Sequence, residues 1–300
     1  MRIVRTVEDL RAALAPVRRA EQTIGLVPTM GALHEGHLSL IRGASRDCAL
    51  VVVSLFVNPA QFNERADLER YPRSEERDAE LAGVAGADIL FAPSAEEVYP
   101  RGFATSVEVL GLTERLEGAS RGAEHFRGVT TVVAKLLSMA QPDVAYFGQK
   151  DAQQVLVIRR LVEDLNLPVE VRALPTVRES DGLAMSSRNA LLGTSERTRA
   201  LALPAALRAA ADLAGAGESS AEALLEAAGA QLRGSGVEPE YLVLVDPETL
   251  EPLETLDRDA LLALAARVGA VRLIDNAVIS AVSAVEPTRP PGQAITTCSA

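Results

Sequence analysis

Cysteine is scarce: the 300-residue chain has two, Cys48 and Cys298, with no Cys-x-x-Cys pair, and a disulfide framework would need more in a chain this size. That points to a reduced, cytoplasmic setting. Basic blocks are missing too: no run of lysine and arginine exceeds two residues, and the formal net charge is −11 with a pI near 4.9. Such a surface cannot neutralise a phosphodiester backbone, which excludes a general nucleic-acid binder but not a small anion held by local donors. No apolar run is long enough for a membrane, since the longest, residues 49–57, is broken by Ser54 and falls well short of the ~20 residues a bilayer requires. Arg2 and Arg5 precede no apolar stretch, so no leader peptide is expected. A Walker A pattern, a serine nucleophile elbow and a Cys/His pair are also absent, so a covalent enzyme intermediate is not expected. Positioning and electrostatics would have to carry the rate.

What is present is enough apolar residue, 48%, for a substantial core in one large or two ordinary domains. Strand-like segments at 23–27, 49–57, 88–91, 143–147 and 169–174 alternate with helical stretches such as 130–140 and 153–165. The alternation predicts an α/β, Rossmann-like doubly wound parallel sheet, with 49–57 as a strand buried on both faces. Beyond Val177 the texture changes. Residues 195–231 read as two Ala/Leu-rich helices parted by the Gly215 to Gly217 break, and strands follow at 240–245, 261–267 and 271–279. The expected division is therefore a nucleotide- and substrate-binding domain at 1–177, a smaller α+β lid domain at 178–285, and a loose tail at 286–300.

The most informative stretch is Pro28-Thr29-Met30-Gly31-Ala32-Leu33-His34-Glu35-Gly36-His37, where a strand feeds into an amphipathic helix beginning near Leu33. Three residues apart, His34 and His37 share a helix face at the end where free N–H groups and the positive dipole favour phosphate. Gly36, without a Cβ, would let a flat group such as adenine lie against the backbone. Three more clusters hold unusual polar residues: Asn58-Pro59-Ala60-Gln61-Phe62, then Gly148-Gln149-Lys150-Asp151 with Gln154, then Met185-Ser186-Ser187-Arg188-Asn189. Taken singly, each has an ordinary explanation. The histidines suit a helix surface or a metal site, though zinc lacks a third ligand, Lys150 and Gln61 suit a solvated surface, and the serines suit a helix cap or linker. Three of the four clusters nevertheless follow predicted strand ends, and in a parallel sheet those ends share one rim.

In these stretches, together with Tyr71-Pro72-Arg73 and Arg178-Glu179-Ser180-Asp181-Gly182-Leu183-Ala184, the chain resembles the pantoate-β-alanine ligases of the HxGH nucleotidyltransferase superfamily. HxGH alone marks only the superfamily; all the stretches in this order mark the ligases. The resemblance implies that Mg-ATP adenylates pantoate, that β-alanine then displaces AMP, and that pantothenate for coenzyme A results. It implies His37, His34 and Lys150 as catalytic residues. Met30, Gly31, Ala32, Leu33, His34, Glu35, Gly36 and His37 would bind ATP with Gly148, Gln149, Lys150 and Asp151, with the backbone of Val177, and with Met185, Ser186, Ser187 and Arg188. Gln61, Gln154, Asn58 and Met30 would hold pantoate, with Gln61 also near β-alanine. Magnesium would be held mainly by ATP phosphates, with no protein ligand assigned, and a homodimer through the larger domain is implied.

This chain differs from the family in three places. Arg121-Gly122-Ala123-Glu124-His125-Phe126 is one residue longer than the usual Arg-Pro-x-His-Phe, which leaves His125 outside the expected catalytic set. Gln149 stands where glutamate is common, and Arg77 replaces an acidic residue beside Asp78, a candidate magnesium neighbour. Rival readings are a cytidylyltransferase, a fragment of a class I aminoacyl-tRNA synthetase, and a nucleotide sensor without turnover. The synthetase would need a basic surface and an anticodon domain, and the sensor would lack Lys150 or His37.

Overall fold

Val51, Val52 and Val53 are consecutive and wholly apolar, so the strand they form has to be covered on both faces. The computed structural model, which describes residues 1–62, 68–69 and 71–281, places them in β3 (Leu50–Leu55). The same sheet contains β1 (Arg2–Val4), β2 (Ile24–Thr29), β4 (Ile89–Phe91), β5 (Val144–Gly148) and β6 (Glu170–Leu174), in the order β1-β4-β3-β2-β5-β6. Every pairing is parallel. Successive side chains go to opposite faces. Leu26, Val52, Ala145 and Phe147 enter one core with helices Val7–Arg19, Ala123–Ala140 and Ala152–Asp164. Val27, Val51, Val53 and Tyr146 enter a second core with helices Glu35–Asp47 and Glu75–Ala85. The doubly wound sheet read from the alternation is therefore present.

From Leu183 onward a separate core forms from helices Thr194–Ala200, Ala202–Gly215 and Ala221–Gly234 against an antiparallel sheet of β7 (Pro239–Val245), β8 (Ala260–Val268) and β9 (Val271–Ile279). The other face of that sheet puts Val245, Leu261 and Ala263 against Leu112, Leu116 and Leu156.

Several elements differ from the sequence expectation. β1 and the helix Val7–Arg19 were not anticipated: the strand has three residues, too few to show a period, and only Val4 of it is buried. The helix expected from 130 begins at Ala123. The Ala/Leu-rich region holds three helices rather than two, because the chain bends at Leu201 and Pro204 falls in the first turn that follows, where no N–H is required. The tail expected at 286–300 lies outside the described residues. Among the described residues no helix is long and apolar enough to cross a membrane.

β2 lies between β3 and β5, and the chain leaves it first to one side and later to the other. The carboxyl ends of these three strands therefore flank a topological switch point, where open parallel sheets leave a crevice.

Candidate active site

At the end of β2 the buried Thr29 hydroxyl donates to the Ser54 carbonyl at 2.8 Å and accepts from the Gly31 N–H at 3.3 Å. The chain then turns sharply through Gly31 (φ +88°) and Ala32 (φ +51°). At Gly31 any Cβ would approach Leu55 Cδ1 to 2.9 Å in addition to the backbone strain. The turn is held by Asp78, only 2% exposed, whose two carboxylate oxygens accept from Ala32 N–H at 2.9 Å and Leu33 N–H at 2.8 Å. Asp78, considered from sequence as a magnesium neighbour, thus spends both oxygens on the backbone.

His34 is the N-cap of helix Glu35–Asp47, and its N–H donates to His37 Nδ1 at 3.4 Å. A nitrogen that accepts carries no proton, so the His37 ring is the neutral Nε2–H tautomer. The rings stack with centroids 4.1 Å apart. Burial, followed by repulsion from His34 and Lys150, pushes the His37 pKa down to about 3. His34 shifts the same way, through burial first and Lys150 next. Its Nδ1 is buried without a hydrogen-bond partner. A Cβ on Gly36 would lie 2.9 Å from His34 Cε1, so the flat group that this glycine admits is the His34 imidazole, a correction to the adenine expected there. Glu35 turns outward to pair with Arg42.

After β3, the Gln61 amide nitrogen donates to Met30 Sδ at 3.0 Å, which brings the first two clusters together. Asn58 does not join them as a free amide. It is 1% exposed, donates to Gln61 Oε1 and the Gly128 carbonyl at 3.0 Å each, and accepts from Ala60 N–H at 3.2 Å and Tyr99 OH at 2.8 Å. With all four bonding positions filled, it holds Gln61 in place instead of touching a substrate. Gly128 allows the helix Ala123–Ala140 to pass against this turn, since a Cβ there would come within 2.3 Å of the Ala60 carbonyl oxygen. His125, set aside on sequence, contacts the Gln61 carbonyl through Nδ1 at 2.9 Å. The cue was its sequence neighbourhood, and the longer loop hid its position.

After β5, a Cβ built on Gly148 meets nothing within 4 Å. The Lys150 ammonium makes no hydrogen bond or ion pair among the described residues, yet it is near enough to depress both imidazoles. Lys150, Ser186 and Arg188 line one cleft with Arg121, Arg272 and Asp275, whereas Ser187 is not on its wall. Ser186 also caps the short turn Ser187–Leu191, its hydroxyl accepting from Arg188 N–H at 3.2 Å. Met185 N–H donates to the Val177 carbonyl at 2.9 Å, which leaves that carbonyl engaged. The Gln154 side chain is half-buried with no hydrogen bond among the described residues, and Asp151 is exposed at the start of helix Ala152–Asp164. Sequence reasoning missed Tyr99 and Asn276, whose importance lies entirely in contacts with distant backbone.

Comparison with known proteins identifies the family. The family described as Pantoate-beta-alanine ligase matches residues 2–278. The pantothenate synthetase of Moorella thermoacetica is 52% identical over 280 residues, covering 93% of this chain and 99% of its own length. The crystal structure of pantothenate synthetase from Thermus thermophilus superposes with a TM-score of 0.87 at 50% identity, covering 92% of this chain and 99% of that one. A pantoate-β-alanine ligase from Francisella tularensis, solved with an ATP compound and β-alanine, gives a TM-score of 0.77 at 34% identity, covering 93% and 97%. By its sequence along almost the whole length and by its fold, this chain belongs to the pantoate-β-alanine ligase family of enzymes.

Proposed function

We propose that the ligase works through a pantoyl adenylate, joining (R)-pantoate to β-alanine with release of pyrophosphate and AMP, and so supplies pantothenate for coenzyme A. In the first step a pantoate carboxylate oxygen attacks the α-phosphorus of ATP, a new O–P bond forms, and the bond to the pyrophosphate breaks. In the second, the β-alanine nitrogen attacks the acyl carbon, AMP leaves with its oxygen, and the amine sheds a proton. The observation that carries this reading is the rim itself: an unpaired Lys150 beside two neutral imidazoles at a helix N-terminus, with Gln61 docked on Met30 alongside.

Lys150 stabilises charge on the departing phosphates, and His37 offers a neutral Nε2–H donor to the same group. His34 shares that contact, its unpartnered Nδ1 marking polar capacity that the protein leaves unused. Residues 30–37 and 148–151 hold the nucleotide, with Asp151 near the ribose, while 185–188 close over the phosphates. Val177 meets adenine through its backbone. Gln61 and Gln154 grip pantoate, and Gln61 lies close to the incoming amine. Magnesium fits as a companion of the ATP phosphates, where it would neutralise their charge. Both Asp78 oxygens already accept from backbone N–H groups, and among the described residues no three His, Cys, Asp or Glu side chains could hold a metal. Residues 1–177 form the substrate domain in this reading and 178–285 a lid, in a cytoplasmic homodimer joined through the larger domain.

The test is exchange of labelled pyrophosphate into ATP, dependent on pantoate and run without β-alanine. Exchange is expected, and Lys150→Ala should lower it about a hundredfold or more with the fold intact. Absence of exchange in the unmodified enzyme would remove the adenylate.

A further inference from the structure

Two adjacent residues of β9 reach out of the small sheet and take hold of the two loops that frame the cleft. Asn276, 6% exposed, donates through Nδ2 to the Gln149 carbonyl at 3.1 Å and to the Lys150 carbonyl at 2.8 Å. Those carbonyls belong to the peptide planes on either side of the Lys150 Cα. Pinning both planes fixes the backbone torsions of Lys150 and so the direction in which its side chain leaves the chain. Only one orientation of the amide allows this, because the opposite one would set Oδ1 against two carbonyl oxygens. The cost is visible: Asn276 Oδ1 is buried and has no partner.

Asp275 acts on the other loop. Its carboxylate, 1% exposed, takes a two-pronged bond from Arg178 at 2.7 and 3.0 Å. Arg178 also donates to the Gly182 carbonyl at 3.1 Å and pairs with Ala184, closing the hairpin from which 185–188 emerge. The Asn276 N–H donates to Asp275 Oδ1 at 2.8 Å, so the two grips are joined.

We propose that Asn276, seconded by Asp275, is a positioning residue for ATP: from the small sheet it sets the Lys150 side chain against the 185–188 loop. The inference rests on Lys150 being the phosphate-binding cation. Loss of two backbone-directed hydrogen bonds beside that cation should weaken nucleotide use by about tenfold or more. Pantoate, held by Gln61 after β3 and by the Gln154 side chain in the helix beyond the two pinned peptide planes, should be affected less.

The experiment compares Asn276→Ala, Asn276→Asp and Asp275→Asn with the unmodified enzyme. It measures pantoate-dependent pyrophosphate exchange, with KM for ATP and for pantoate separately, alongside thermal unfolding. Asn276→Ala should raise KM for ATP or lower kcat by about tenfold, with KM for pantoate within about twofold. Asn276→Asp should be worse than alanine although it keeps the shape, because a carboxylate would face two carbonyls. A role in packing alone predicts the reverse order. ATP parameters unchanged in Asn276→Ala, or ATP and pantoate parameters falling together with Tm, would overturn the proposal. If Asn276→Asp does not fold, the alanine variant decides, and Asp275→Asn should move the same ATP parameters. No exchange in the unmodified enzyme would defeat the adenylate reading, an outcome separate from any of these.

Discussion

Asp78→Asn separates two roles that the same carboxylate could play. In the structure its oxygens accept from the N–H groups of Ala32 and Leu33 at 2.9 and 2.8 Å, inside the turn that carries His34 and His37. The replacement keeps the volume and one acceptor but turns the other oxygen into an NH2 group facing an N–H. One charge-assisted bond, about 1.5–3 kcal/mol, is lost, and the opposed donors add no compensation. At roughly 2 °C per kcal/mol for a chain of this size, unfolding should begin about 3–6 °C lower. The turn would be ordered for a correspondingly smaller fraction of time, so exchange should fall about ten- to hundredfold at any magnesium concentration. The assay is thermal unfolding together with pyrophosphate exchange titrated with magnesium. A variant with unchanged Tm whose activity returns as magnesium is raised would show that Asp78 is a metal ligand, and the anchoring argument would fail.

Gly128→Ala would gain about 1 kcal/mol of helix propensity on an exposed helix, but here its Cβ would come within 2.3 Å of the Ala60 carbonyl oxygen. It should lower Tm and raise KM for pantoate several-fold through Gln61 while leaving KM for ATP within about twofold; a more stable variant with normal kinetics would refute the close approach. His37, with its pKa held near 3 rather than the ordinary 6.5, should remain the neutral Nε2–H tautomer from pH 5 to 8 in nitrogen-15 spectra. A titration midpoint near 6.5 would contradict that. Because its pKa is depressed, the stability tied to its neutral burial is complete above about pH 6.5 and declines as the pH falls towards 3. Glu117, whose N–H donates to Gln153 Oε1 at 2.9 Å, is tied to the small sheet through Arg272 and Tyr241. Burial alone would raise its pKa, but the bidentate Arg272 at 2.7 and 2.8 Å, with Arg121 and Tyr241, holds it below 4.5. Its contribution is therefore complete above pH 4.5 and disappears as the pH drops through the lowered value. Glu117→Gln should lose about 3 kcal/mol at pH 7 and flatten the acid side of the Tm profile, and an acid limb as steep as in the unmodified enzyme would refute the assignment.

The fold was legible where the periodicity ran long. Residues 51–53 announced a strand buried on both faces, and the alternation around it gave the parallel sheet. β1 was invisible because three residues establish no period, and its pairing with β4 is defined by residues 89–91 rather than by anything local. The three helices after Gly193 looked like two because the bend at Leu201 uses no glycine and the following proline is tolerated in a first turn.

The site divides along a similar line. Lys150, Gln61 and the two histidines could be read from sequence because each follows directly on a strand whose carboxyl end lies on the rim. Asp78, Gly128 and Asn276 could not, because none of them sits at a strand end of the larger sheet and each acts on backbone far away, 45, 68 and 126 positions off for Leu33, Ala60 and Lys150. A residue that bonds to a carbonyl or an N–H leaves no trace in the identity of its partner, since every residue but proline offers both groups. Asn58 shows the converse. Its position after β3 marked it as a substrate amide, yet four bonds to its surroundings make it scaffolding, and only saturation of its donors and acceptors distinguishes the two roles. Strand-end position therefore selects the candidates in this fold, and the count of unfilled hydrogen-bonding positions sorts them. By that criterion Lys150, Gln154 and His34 Nδ1 are available to a ligand, whereas Asn58 is already committed to the protein.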